Sequence, residues 1–261
     1  MSWLESLLIT KFAVFALILG RVGALVMTAP VFGTQALPMQ VRGLLAVALS
    51  LLVMPLHTTQ SPPGDWNLLD FSLLMVNEVL VGLLLGVGVT ILFTGVQLAG
   101  HLISQLSGLS LAEVFDPAIE EQASVFTQLF YFLTLAMFVA LGGHRLVMQA
   151  LLDTFVWAPP GHAELGDNYI EAVVTLLTQS FRLGIRAAAP LMASLLLATV
   201  LLGLIGRTLP QINVLVLGFG VNSLLTLAML LITIGGVAWT FQEPLTATLE
   251  VLSAAVVHRN S

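Results

Sequence analysis

Charge is what this chain has least of. Only 8% of its 261 residues are Asp, Glu, Lys or Arg, about a third of the share found in soluble domains, which excludes an ordinary water-soluble globule. Cysteine is absent, so neither a disulfide framework nor a thiolate metal site can form. Lys11 is the only lysine, the net charge is -6, and no run of basic residues occurs. Nucleic acid, which requires a basic face, is therefore not an expected partner. The sequence also lacks H-E-x-x-H, G-x-x-x-x-G-K-[ST] and G-x-S-x-G, the spacings that place zinc ligands, cradle phosphates or expose a nucleophile. No catalytic residue, cofactor or metal is expected.

What is present is apolar length. Residues 22–41, 43–64, 79–112, 122–144, 187–206 and 208–242 carry no Asp, Glu, Lys or Arg, and most of these runs reach the roughly 20 helical residues that cross a hydrocarbon layer. The fold class expected is all-α: a polytopic membrane-class protein of about six long apolar helices, with four elements before Pro160 and a helical hairpin after it. The first segment covers about residues 4–28 and stops before Pro30, since proline cannot continue a helix. It resembles a signal core over residues 12–20, yet Glu5 and Arg21 flank it, and it is read as an uncleaved first helix. A short second segment runs over about residues 42–54. A Pro-Gly loop follows at Pro62, Pro63 and Gly64. The third segment, about residues 70–106, exceeds what a bilayer needs. The fourth covers about residues 120–141 and ends at Gly142 and Gly143. A second loop holds Pro159, Pro160 and Gly161. The fifth and sixth, about residues 168–206 and 213–241, are joined by so short a link that an antiparallel hairpin is expected.

Polar residues inside these helices are the candidate functional groups. Arg21, Glu78, Arg182 and Arg186 interrupt apolar stretches. Facing lipid, they would cost on the order of 10 kcal/mol together, so they should face protein, water or the membrane edge. Glu171, Thr175, Gln179, Arg182 and Arg186 recur at helical spacing and share one face. Thr94, Gln97, His101, Ser104 and Gly108 do the same on the third segment. Across an acidic turn containing Glu113, Phe115, Asp116 and Pro117, so do Glu120, Ser124, Thr127, Tyr131 and Thr134. Two readings stay open for these stripes: buried hydrogen bonding between packed helices, or the lining of an aqueous passage. Gly82 and Gly86 form a G-x-x-x-G pair that permits close helix contact. A third reading makes Glu78, with Arg21 or Arg182, the midplane site of a small-solute carrier.

At the turn between the last two helices stand Gly203, Gly206, Arg207, Pro210, Gln211 and Asn213. Arg207 complements the negative end of the helix dipole, Pro210 closes the helix and Asn213 is placed to cap the next. This string closely resembles the signature of the flagellar biosynthetic protein FliR family, the T component of virulence type III export gates. Arg21 with Pro30, Pro38 with Arg42, Glu78 with Gly82 and Gly86, and the stretch from Ala99 through Gln105 to Asp116 and Pro117 match in the family's order. The resemblance implies a non-enzymatic inner-membrane subunit of the flagellar basal body, helping to form a closed channel for unfolded exported proteins. It implies P-type and Q-type partner subunits (FliP-like and FliQ-like) and a B-type switch subunit (FlhB-like) near the C-terminal tail at Val256 and His258. It also implies a P-like part over residues 1–160 and a Q-like hairpin and tail over residues 168–261. The family's plug maps onto about residues 108–121, with Gln105, Gly108, Glu113, Phe115, Asp116 and Pro117 as the pore or plug candidates.

Overall fold

The computed structural model describes residues 3–32, 38–57, 67–108, 124–163, 168–209, 211, 213, 216–232 and 247–248. Helix is the only regular structure among them: α1 (Trp3–Thr28), α2 (Met39–Val53) running into a 3₁₀ turn (Met54–His57), α3 (Leu68–Ser107), α4 (Val125–Ala140), α5 (Gly143–Trp157), α6 (Asn168–Thr208) and α7 (Val216–Ile232). Four stretches are long and apolar enough to cross a membrane: Leu8–Thr28, Met39–His57, Leu68–Ser107 and Tyr169–Thr208. The chain is an all-α, polytopic membrane protein.

Element boundaries follow local chemistry. α1 ends at Thr28, two residues before Pro30. α2 starts at Met39, three residues before the expected Arg42, because Pro38 at φ -54° already holds a helix-compatible angle and its carbonyl accepts from the N–H of Val41 at 2.9 Å. Pro55 does not stop the segment at once; having no N–H, it cannot continue the α-helical ladder beyond the Met54 N–H to Ser50 carbonyl bond, and the chain tightens there into the 3₁₀ turn Met54–His57. α4 begins behind Ser124, whose hydroxyl accepts from the Thr127 N–H at 3.3 Å. Gly142, at φ +72°, ends that helix in the left-handed region and opens the next. The fourth expected element is a bent pair: α5 resumes immediately after the glycines at 66° to α4, so five α-helices precede Pro160 among the described residues, and the fourth element extends past Gly142 to Trp157.

The chain forms two compact units. The first combines residues 1–91, 142–177 and 245–261. Its core is the α1 face of Leu17, Ile18, Val22 and Leu25, with Val81, Leu85 and Val89 of α3 and Leu151 and Phe155 of α5. Gly82 and Gly86 allow α3 to press on α1, since a Cβ at Gly82 would meet the Arg21 carbonyl and one at Gly86 the Thr28 side chain. The hydroxyl of Thr90 reaches the Thr28 carbonyl at 2.8 Å across the same contact.

The second unit combines residues 92–141 and 178–244. Phe93 of α3 is its aromatic centre, meeting Phe138 edge-on with ring centroids 5.4 Å apart and Tyr131 at 6.0 Å. α3 and α6 touch backbone to backbone at Gly95 and Gly184. At the α6 to α7 link, Asn213 caps α7 as expected, its Oδ1 accepting from the Val216 N–H at 3.3 Å. Leu202 of α6 lies against Gly218 of α7. The last segment was expected to run over residues 213–241; its described helix is Val216–Ile232, and residues 233–241 lie outside the described residues.

Candidate functional site: a closed ion pair and open polar faces

Two kinds of polar group occupy these apolar helices. Arg21 and Glu78 are 0% exposed. The Arg21 Nε–H donates to Glu78 Oε2 at 2.6 Å, and Nη1–H donates to the Thr154 hydroxyl at 3.1 Å. The guanidinium carbon lies 4.3 Å from the centre of the Phe155 ring, in cation–π geometry. The other carboxylate oxygen of Glu78 accepts the Gly161 N–H at 2.8 Å. Gly161 presents that N–H from a turn at φ +84°, a conformation glycine takes without strain. Four pieces of chain, α1, α3, α5 and the Pro159–Gly161 turn, therefore converge on one charge pair in the first unit.

The chemistry of this cluster is structural. A buried pair survives desolvation best when its lone pairs and protons are taken up by further hydrogen bonds; here Thr154 takes up Nη1 and Gly161 the second Glu78 oxygen, while Arg21 Nη2 is buried without a hydrogen-bond partner among the described residues. Both oxygens of Glu78 are occupied, and neither charge reaches solvent. The nearby cavity of ≈ 310 Å³ is lined by apolar residues such as Leu80, Leu84, Val87, Val173 and Leu176, with Tyr169 beside them. Such a lining suits hydrocarbon and does not suit a charged or polar solute. The carrier reading, which needs Glu78 open to a substrate, finds no geometric footing.

The second kind of polar group faces outward. On α6, Glu171, Arg182 and Arg186 are exposed, Thr175 and Gln179 are half-buried, and the shielded Gln179 Oε1 has no hydrogen-bond partner. On α3, Thr94, His101 and Gln105 are exposed and Gln97 is half-buried, whereas Ser104 turns inward at 3% exposure. The α3 stripe is thus split, and its inner member serves packing. The α4 stripe is consumed internally: Ser124 caps the helix, and buried Thr134 donates to the Phe130 carbonyl at 2.7 Å. Gly108 closes α3 at φ +78°. Glu113, Phe115, Asp116, Pro117, Pro210, Val256 and His258 lie outside the described residues. Arg207 is exposed in the last turn of α6. Among the described residues no group of three or more His, Asp or Glu is arranged to hold a metal ion.

Sequence reasoning missed Thr154, Phe155 and Gly161 as partners of Arg21 and Glu78. A signal for the first two existed: Val147, Ala150, Leu151, Thr154 and Phe155 alternate at steps of three and one, the stripe of a helix with one buried face.

Comparison with known proteins finds relatives over most of the chain. The family described as "Bacterial export proteins, family 1" matches residues 12–248. The chain is 28% identical over 246 residues to the flagellar biosynthetic protein FliR of Caulobacter vibrioides, covering 94% of this chain and 98% of that one. It is 32% identical over 201 residues to FliR of Escherichia coli, covering 76% of each. It is 30% identical over 164 residues to the secretion system apparatus protein SsaT of Salmonella typhimurium, covering 61% of this chain and 62% of that one. The chain belongs to the FliR family of bacterial export proteins.

Proposed function

We propose that this chain is a non-enzymatic subunit of the flagellar type III protein export gate, seated in the bacterial inner membrane and helping to form a closed channel for unfolded flagellar proteins. The observation that carries the reading is family membership along residues 12–248, with relatives named for flagellar biosynthesis and for a secretion apparatus. The flagellar branch is favoured because the match to flagellar relatives extends over as much as 94% of the chain, against 61% for the secretion-apparatus relative. The physical support is incompleteness. Large apolar side chains stand exposed on every long helix, among them Phe12, Leu52, Leu73, Phe132 and Leu197, and faces of this kind need a partner or lipid against them.

In this reading FliP-like and FliQ-like subunits cover those faces, and an FlhB-like subunit meets the C-terminal tail. The part up to residue 160 is P-like and residues 168–261 are Q-like. The exposed polar groups Thr94, His101, Gln105, Glu171, Arg182 and Arg186 face a wet passage or another subunit, with Gln97 and Gln179 behind them. The stretch over about residues 108–121, which includes Phe115, is the plug. A passage that holds back ions yet admits an unfolded chain needs a bulky, deformable stopper, and an aromatic turn suits that better than a rigid ring of charge.

The test is removal of the gene. Its loss should abolish swimming and the appearance of flagellar filament protein outside the cell, and a plasmid copy should restore both. Normal export in its absence would end the proposal. Genes for two other small, apolar, multi-helix proteins are expected beside this one.

A further inference from the structure

We infer that the outward face of α6 around Arg182 and Arg186 docks a helix of a partner subunit that sets carboxylates against the two guanidinium groups. The inference rests on the gate-subunit reading in taking that partner to be a membrane-class helix. Inside the second unit, α6 buries Ser180, Leu183, Gly184, Ala187, Ala188 and Leu191. The backbone contact of Gly184 with Gly95 lies on this inner side. About half a helical turn away, Phe181 is 57% and Ile185 55% exposed, alongside exposed Arg182, Arg186 and Ala189. These positions recur at steps of three and four, the pattern of an apolar seam flanked by charge into which another helix settles.

The face also has polar demands that apolar surroundings cannot meet. Neither arginine forms an ion pair among the described residues. Pro190 stands inside α6. Having no N–H, it leaves the carbonyl four residues earlier, that of Arg186, without its helical donor. Two cations and one orphaned acceptor therefore crowd about two turns of helix.

Lipid alone cannot cover this face. The 41 residues of α6 extend about 60 Å at 1.5 Å per residue, about twice the hydrocarbon thickness of a bilayer. If the bilayer lies over the uncharged residues 187–206, then exposed Phe181 and Ile185 fall beyond the hydrocarbon, and so do Val174 and Ile170 further along the same helix. If the bilayer lies over Phe181 and Ile185, both arginines enter hydrocarbon, where charges are expensive. A protein helix satisfies both conditions: its apolar side chains cover the phenyl and isoleucine, and carboxylates one turn apart accept paired N–H bonds from the arginines.

The experiment uses the full chain in cells that carry the whole export apparatus. A photo-crosslinking residue is placed at Phe181 or Ile185 in an otherwise unaltered chain, and the adducts are identified by mass spectrometry. The expected adduct is a peptide of another subunit with Asp or Glu in a helical stretch. Adducts to lipid only, or to a peptide without acidic residues, overturn the inference. In parallel, the doubly substituted R182E/R186E chain should recover its partners from detergent with a loss of roughly thirtyfold or more, while R182K/R186K retains most of the association. Undiminished recovery with R182E/R186E overturns this face alone. Failure of the unaltered chain to recover any other subunit overturns the gate reading together with it.

Discussion

Arg21 and Glu78 stabilise the first unit only as a pair. Replacing Glu78 by Gln leaves the Arg21 guanidinium fully buried without its counter-ion, and a broken pair of this kind costs about 3–5 kcal/mol. The single variant should therefore unfold at a clearly lower temperature in detergent and be degraded faster in cells. A double variant with Met at position 21 and Leu at position 78 removes both charges and should regain most of that loss. Equal thermal midpoints for Glu78→Gln and the parent would show that the pair contributes little. At Gly82 the prediction is steric: a leucine there must displace the Arg21 backbone, parting α3 from α1. Loss of the Arg21 to Glu78 contact should follow, seen as protease sensitivity within α1.

At the scale of the helix, the break at Gly142 is the sharpest local commitment. Its φ of +72° is strained for any residue with a Cβ, so Gly142→Val should destabilise the α4 to α5 turn by about 1–3 kcal/mol. Hydrogen exchange should rise at both helix ends beside it; unchanged protection there would mean that the turn tolerates a side chain. This same glycine limited what could be read from the sequence. Prolines and charge-free runs made α1, α3 and α6 legible almost to the residue. Gly142 and Gly143 read as a terminus instead of a pivot, and no helix is expected from the sequence over the stretch that follows, where Arg145, Gln149 and Asp153 are the exposed side of α5. With α5 unseen, Thr154 could not be proposed as a partner for Arg21. Nor does any periodicity reveal that Arg21 pairs with Glu78, since 57 residues separate them. Spacing identifies which residues share a helix face; it carries no information about which faces meet.

For the molecule as a whole, the predictions concern assembly and closure. Expressed without companion subunits, the chain should be degraded quickly, because its exposed apolar and arginine-bearing faces stay uncovered; co-expression with the FliP-like and FliQ-like subunits should lengthen its lifetime. Equal lifetimes in both settings would count against a multi-subunit role. Deleting residues 108–115 should leave assembly largely intact, raise ion leakage and slow growth of cells carrying the complete gate. Assembled, export-competent complexes that leak no more than the parent would remove the plug assignment and leave the stripes of α3 and α6 as subunit contacts.

The clamp around Arg21 also sets a timetable for biosynthesis. Glu78 follows Arg21 by 57 residues and Thr154 by 133. At about 5–20 residues per second, the carboxylate leaves the ribosome roughly 3–11 s after the arginine. During that interval α1 is complete yet carries an uncompensated cation in its apolar length. The first helix therefore has to wait, held in a hydrated or protein-lined compartment, and enters its final surroundings together with α3. Final closure waits longer still, until Gly161 offers its N–H to the carboxylate 83 residues before it. Arg21 thereby makes the N-terminal helix dependent on chain that has not yet been synthesised, and a nascent chain arrested between residues 21 and 78 should be held by the insertion machinery until translation resumes.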